Sequence, residues 1–254
     1  MADYHIKSII LDVDGVLRDY SALFCSSLSA AFKKYDITCK FRQKDIWHLR
    51  GFETYGPRKE IIRTLISCSL AGFDLNNIIN GSDPEKTLKN LLSSLPPVPD
   101  ELITKISDEY EVYFRSHIGE IKIIPGSKHA LDKLSGYGYT LGLLTTSDKE
   151  SLYKDLEKIG INYFKIIISK EDVKHLKPNP EGLHKISRAL AIKTKDILYV
   201  GDTQVDVLTA KNAGALSGVV LTGMGIRNAF VDLKPDFIAN DLSELTDRLN
   251  FNWI

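Results

Sequence analysis

The 254-residue chain predicts an α/β fold: a doubly wound parallel sheet with an all-helical region inserted after its first strand. Three observations predict it. An apolar run, Ser8 to Leu11, ends abruptly in Asp12-Val13-Asp14-Gly15; from Ser21 to about Glu120 the pattern is helical throughout; from Ile121 onward, short apolar runs alternate with helical stretches. Strands separated by helices of this length call for right-handed crossovers and a parallel sheet covered on both faces. On this reading residues 1–17 and 121–254 form the α/β core domain, and residues 18–120 form the helical domain.

The first strand delivers two carboxylates, at i and i+2, to a turn at its carboxyl end, where open α/β sheets keep their ligands. An ordinary solvated Asp-Gly turn would look the same in isolation. Tyr20 to Tyr35 spaces Leu23, Phe24, Leu28, Ala31 and Phe32 near i, i+3 and i+4, the stripe of an amphipathic helix. A short helix over Lys44 to Leu49 precedes the loop Arg50-Gly51-Phe52-Glu53-Thr54-Tyr55-Gly56-Pro57. Pro57 suits the first turn of the next helix, to about Ser69, because its missing N–H is not needed there. Helices over Pro84 to Leu92 and Glu101 to Ser116 are separated by the breaker Pro96-Pro97-Val98-Pro99. Beyond Ile121, the runs Tyr139 to Leu144, Lys165 to Ser169, Ile197 to Val200 and Ser217 to Leu221 read as strands.

Composition narrows the class. Hydrophobic residues at 43% and charged residues at 26% exclude a disordered or fibrous chain. The 33 Lys and Arg balance the 33 Asp and Glu, so no global field gathers a polyanion, and nucleic acid is not an expected partner. Cys25, Cys39 and Cys68 lack the paired spacing of a zinc or redox motif and read as reduced thiols. With no apolar leader and no segment of membrane-spanning length, the chain reads as cytoplasmic, with no membrane partner.

Three later segments offer partners to the carboxylates of the first. Leu141 to Leu144 ends in Thr145-Thr146-Ser147-Asp148, where hydroxyls and free N–H groups at a strand end and helix start suit phosphate oxygens; plain N-capping is the alternative. In His175-Leu176-Lys177-Pro178-Asn179-Pro180-Glu181-Gly182, two prolines keep the chain out of a helix and fix the direction of Lys177, otherwise a solvated lysine. Ile197 to Val200 ends in Gly201-Asp202, with Asp206 four residues on. Asp12, Asp14 and Asp202 at neighbouring strand ends would suit magnesium, which takes a few carboxylates plus water and phosphate; helix capping by Asp202 and Asp206 is the other reading.

In order and spacing these segments resemble the four motifs of the haloacid dehalogenase superfamily of phosphohydrolases, whose core is a Rossmann-like sheet. Asp12-Val13-Asp14-Gly15-Val16 is similar to the first motif, Thr145 to the second, Lys177 with Pro178-Asn179-Pro180-Glu181 to the third, and Gly201-Asp202 with Asp206 to the fourth. The resemblance implies that Asp12 is the nucleophile, forming an aspartyl-phosphate, and that Asp14 handles the leaving-group and water protons. It also implies that Mg2+ is the cofactor, held by Asp12, Asp202 and the Asp14 carbonyl, with Asp206 binding through water or supporting the ligands. Thr145 would donate to a phosphoryl oxygen, with Thr146 beside it, and Lys177 would offset the crowded negative charge.

The helical insert sits where one branch of the superfamily, which includes phosphoglycolate phosphatases, pyrophosphatases, phosphonoacetaldehyde hydrolases and β-phosphoglucomutases, carries a helical cap. The function this implies is a phosphatase of small phosphorylated metabolites, phosphoglycolate-like or sugar phosphates. The alternatives are a phosphomutase, or a phosphonate hydrolase, which would need a cap lysine such as Lys59. Arg50 and Arg58, at the ends of the cap loop, are candidate grips for a second anionic group, or else solvated loop residues. The expected assembly is a monomer or homodimer. One departure stands out: the family often has a small or acidic residue just after the first motif, where this chain has Arg18-Asp19.

Overall fold

The apolar runs become strands β1 (Ser8–Leu11), β2 (Arg18–Asp19), β3 (Lys122–Ile123), β4 (Thr140–Leu144), β5 (Phe164–Ile168), β6 (Ile197–Gly201), β7 (Leu216–Val220) and β8 (Phe237–Ala239) in a computed structural model. It describes residues 5–50, 54, 56–79, 81–159, 161–223 and 227–250. Six of the strands form one sheet in the order β5-β4-β1-β6-β7-β8, every pair parallel, while β2 and β3 pair antiparallel by themselves. The chain runs outward from β1 through β4 to β5, then returns to the other side of β1 at β6. That reversal opens a crevice at the carboxyl end of β1.

The helices are α1 (Ser21–Lys34), α2 (Gln43–Arg50), α3 (Arg58–Leu70), α4 (Leu75–Ile79), α5 (Pro84–Ser94), α6 (Asp100–Ser116), α7 (Ser127–Gly136), α8 (Lys149–Ile159), α9 (Glu181–Leu190), α10 (Gln204–Ala213) and α11 (Leu242–Asn250). The chain divides into two units, Met1–Asp19 with Lys122–Ile254, and Tyr20–Ile121. The first retains Arg18 and Asp19, which the sequence pattern groups with the helices.

In the first unit, side-chain alternation along each strand sorts the core into two faces. Ile9, Leu11, Leu141, Leu143, Leu198 and Val200 pack with leucines of α7, α8 and α11, whereas Ile10, Leu144, Ile197 and Tyr199 pack with α9 and α10. Because both faces are covered, the strands read as unbroken apolar runs rather than as alternating ones. β8 escapes the sequence pattern because it is three residues long, too short to show a period.

The second unit is all helical. Leu23, Phe24, Leu28, Ala31 and Phe32 of α1 are buried, and α1 lies along α6 with Ile103, Ile106 and Tyr110 inside. Asp83 caps α5, its carboxylate accepting from Lys86 N–H at 3.1 Å, with Pro84 at the first helical position. Burial pushes the thiols of Cys39 up to about 12 and Cys68 up to about 11, which disfavours the thiolate form. No helix among the described residues is long and apolar enough to cross a membrane.

Ile10 is fully buried at the centre of the sheet. Ile10→Ala should cost about 2–5 kcal/mol of unfolding free energy by denaturant titration; a loss well under about 1 kcal/mol would contradict the packing described.

Candidate active site

The site is assembled at the carboxyl ends of three adjacent strands. Asp12 follows β1, and its N–H donates to the Val200 carbonyl of β6 at 2.8 Å, which locks its backbone to the neighbouring strand. Thr145 follows β4, its N–H bound to Ile168 O of β5 at 3.0 Å, and Asp202 follows β6. Asp12, Thr145, Asp202 and Asp206 are all buried.

Lys177 reaches these groups from the loop before α9. Its side chain is 7% exposed, and its ammonium meets Asp12 Oδ2 at 3.1 Å, Asp206 Oδ1 at 2.7 Å and the Tyr199 hydroxyl at 3.0 Å. An ammonium has three protons, so these partners satisfy it fully. The loop is gathered by Glu181, whose carboxylate accepts from the N–H groups of Lys174 (3.1 Å) and His175 (3.0 Å) and pairs with Lys185 at 2.8 Å. The Lys177–Pro178 peptide is cis.

Asp206 folds back over the strand end. Its Oδ2 accepts from the N–H (3.1 Å) and hydroxyl (2.6 Å) of Thr203, and its Oδ1 from Lys177 and the Tyr199 hydroxyl (2.9 Å). This return needs Gly201, since a Cβ there would lie 2.2 Å from Asp206 Cβ. Gly15, at φ +77°, does the same for Asp202: a Cβ would lie 2.2 Å from Asp202 Oδ2, and one on Gly223 only 2.0 Å from it. The glycine of the first segment and the aspartate of the fourth are therefore packed against each other.

Electrostatics follow from burial. Burial pushes the Asp12 carboxyl up to about 7 against the lowering pull of Lys177. For Lys177 burial works downward, but Asp12 and Asp206 outweigh it and hold the ammonium charged well above its ordinary range. Burial would raise Asp206, yet Lys177, Thr203 and Tyr199 overcome it and keep the carboxyl low. The Tyr199 phenol is pushed up by burial and stays protonated.

Asp12, Asp202 and Asp206 each offer an oxygen within 4.8 Å of the others, and Asp12 Oδ1 is buried without accepting a hydrogen bond from any described residue. Asp12, Asp14, Asp202 and Asp206 bring four carboxylates against the two cations Lys177 and Arg18. All-oxygen donors with excess negative charge fit a small divalent cation.

The remaining sequence candidates are described each within its own unit. Thr146 is exposed. In the helical unit, the Arg50 guanidinium lies over the rings of Phe24 (4.9 Å) and Tyr20 (5.7 Å); Arg58 pairs with Glu111 at 2.7 Å and covers Tyr110 at 4.6 Å. Neither is merely solvated. Lys59 is exposed and donates to Thr104 Oγ1 at 3.2 Å. Gly51, Phe52, Glu53 and Tyr55 of the cap loop lie outside the described residues. Sequence reasoning missed Tyr199, which looks like one more apolar strand residue, and read Ser147 as one hydroxyl of a phosphate seat or as a helix cap, not as a partner of Asp14.

A parallel sheet reversing at β1, with acid, hydroxyl, lysine and acid at its strand ends, defines a hydrolase of the haloacid dehalogenase type. The family model for haloacid dehalogenase-like hydrolases matches residues 9–220, and the chain belongs to that family. Among curated relatives, it is 26% identical over 243 residues to the pyrophosphatase PpaX of Halalkalibacterium halodurans, covering 95% of this chain and 96% of that one. It is 25% identical over 249 residues to the PpaX of Bacillus cereus, covering 96% and 97%. Among solved structures, it is similar to a predicted phosphoglycolate phosphatase from Haemophilus somnus, with a TM-score of 0.73 at 18% identity over 98% of this chain and 100% of that one.

Two predictions follow from these contacts. Tyr199→Phe leaves one ammonium proton of Lys177 without its acceptor, and should cost about 1–3 kcal/mol in denaturant titration; an unchanged midpoint would mean the hydroxyl carries nothing. Glu181 is held down to about 2 by Lys185 and the loop N–H groups, from an ordinary value of 4.5. Its contribution is therefore full above pH 4.5 and lost as pH falls towards 2. The stability gap between wild type and Glu181→Gln should close over that interval, and a gap independent of pH would refute the assignment.

Proposed function

We propose that the chain is a magnesium-dependent phosphatase that hydrolyses a small phosphorylated metabolite through an aspartyl-phosphate on Asp12. The observation that carries this reading is the Asp12 carboxylate: buried, braced on one oxygen by Lys177, with its other oxygen accepting nothing among the described residues. A carboxylate so placed is available to react and is not tied up as a structural ion pair.

In the first step a carboxylate oxygen of Asp12 attacks phosphorus, the bond from phosphorus to the leaving oxygen breaks, and Asp14 supplies the proton that oxygen takes up. In the second, water attacks the phosphorus of the aspartyl-phosphate, Asp14 receives the water proton, and the bond to Asp12 breaks, returning the carboxylate and releasing phosphate. Lys177 holds Asp12 in place and offsets the charge brought by the phosphoryl group. Thr145 donates its hydroxyl proton to a phosphoryl oxygen. Asp12, Asp202 and the Asp14 carbonyl would hold Mg2+, which when bound supplies charge neutralisation at the phosphoryl oxygens. With both oxygens already accepting, Asp206 supports Lys177 more than it binds the ion.

The likeness to pyrophosphatases and to a predicted phosphoglycolate phosphatase supports a small anionic phosphate as substrate. A phosphonate hydrolase is not favoured, because its Schiff-base lysine would have to be Lys59, which is exposed and engaged with Thr104.

A screen of pyrophosphate, phosphoglycolate and sugar phosphates should show phosphate release that requires Mg2+. Turnover of none of them, or turnover indifferent to chelation, would overturn the proposal. Asp12→Asn should lower kcat by a factor on the order of 1,000 or more with the fold intact by circular dichroism. Residual activity within about tenfold of wild type would remove Asp12 from the chemistry. Asp202→Ala should weaken Mg2+ binding, measured calorimetrically without substrate; unchanged affinity would place the ion elsewhere.

A further inference from the structure

Arg18, the residue that departs from the family pattern, is 3% exposed inside the core unit. A buried guanidinium is costly unless its donors and charge are met, so its partners indicate its purpose. Arg18 is held by its backbone, the N–H donating to Val13 O at 3.1 Å and the carbonyl accepting from Gly15 N–H at 2.8 Å. From there the guanidinium turns back on the first motif: Nε donates to Asp14 Oδ1 at 2.6 Å, and Nη2 to Asp14 Oδ2 at 3.3 Å and to Ser147 Oγ at 2.8 Å. Ser147 closes the ring, its hydroxyl donating to Asp14 Oδ2 at 2.7 Å and its N–H to Thr145 Oγ1 at 3.1 Å.

We infer that Arg18 and Ser147 are positioning residues that aim the Asp14 carboxyl at the leaving oxygen, and so determine how well the enzyme expels poor leaving groups. The inference rests on the proposed role of Asp14 in handling the leaving-group proton. Asp14 precedes Gly15 in a left-handed turn, and its carboxyl is gripped by Arg18 and Ser147. The planar fork of Arg18 constrains it, because two donors on two carboxylate oxygens set the plane of the carboxyl as well as its position. Lysine cannot reproduce that fork. Ser147 adds a link to Thr145, so the proton-handling carboxyl and the phosphoryl-binding hydroxyl share one hydrogen-bonded frame. Proton transfer demands approach within hydrogen-bond reach, and displacement by about 1 Å can cost a factor of about 100.

The test compares kcat/KM, which reports the steps up to formation of the aspartyl-phosphate, across aryl and alkyl monophosphates of graded leaving-group basicity with Mg2+ present. Wild type, Asp14→Asn, Arg18→Ala, Arg18→Lys and Ser147→Ala are measured, each checked for folding by circular dichroism. Asp14→Asn should lose more activity as the leaving group becomes more basic. Arg18→Ala and Arg18→Lys should follow the same slope, with losses on the order of tenfold or more on alkyl esters and several times smaller on p-nitrophenyl phosphate. Ser147→Ala should show the slope in weaker form. A flat response in Asp14→Asn would overturn the reading of Asp14 itself. A graded response there with a uniform loss, or none, in Arg18→Lys and Ser147→Ala would overturn the inference, and those two variants decide the matter if Arg18→Ala does not fold.

Discussion

The arrangement depends on one buried ammonium. Lys177 sits among Asp12 of the first segment and Tyr199 and Asp206 of the fourth, and its three protons find three acceptors. Without it, charged carboxylates whose oxygens lie within 4.8 Å of one another would repel by several kcal/mol, on the order of 3 to 4 per pair at an effective dielectric near 20. The converse also holds, since an ammonium this deep is tolerated only because the carboxylates are there. Much of the local construction serves this contact. Glu181 gathers the loop that carries Lys177, Thr203 turns Asp206 towards it, and Gly201 leaves room for that turn.

The fold was largely legible because both faces of the parallel sheet are covered, which writes each strand as a short apolar run bounded by polar residues. β1, β4, β5, β6 and β7 lie within a residue or so of the runs that predict them. β8 and the β2–β3 pair were not legible, being two or three residues long and defined by partners distant in sequence. In the site, residues that announce themselves by type at a strand end, such as Asp12, Thr145 and Asp202, could be picked out. Tyr199 could not, because its position inside β6 made its ring look like core, and only the fold brings its hydroxyl to Lys177. Arg18 was visible as a departure, but its direction was not, because a sequence does not show that a charged side chain turns inward.

The helical unit is a different case. Its core could be read from the i, i+3, i+4 spacing of α1, yet Arg50 and Arg58 were open between anion grips and solvated loop residues. Both lie against aromatic rings, and Arg58 also pairs with Glu111, so part of their charge is already engaged within the unit. Any role in substrate choice would draw on donors those contacts leave over.

The central claim, that Asp12 is the group that accepts the phosphoryl, can be tested without knowing the substrate. Beryllium trifluoride mimics a phosphoryl group on a carboxylate, and fluorine NMR resolves its bound resonances from the free ion. With Mg2+, the wild-type protein should give protein-bound fluorine resonances that vanish on chelation and are absent in Asp12→Asn. Bound resonances of equal intensity in Asp12→Asn would contradict the account.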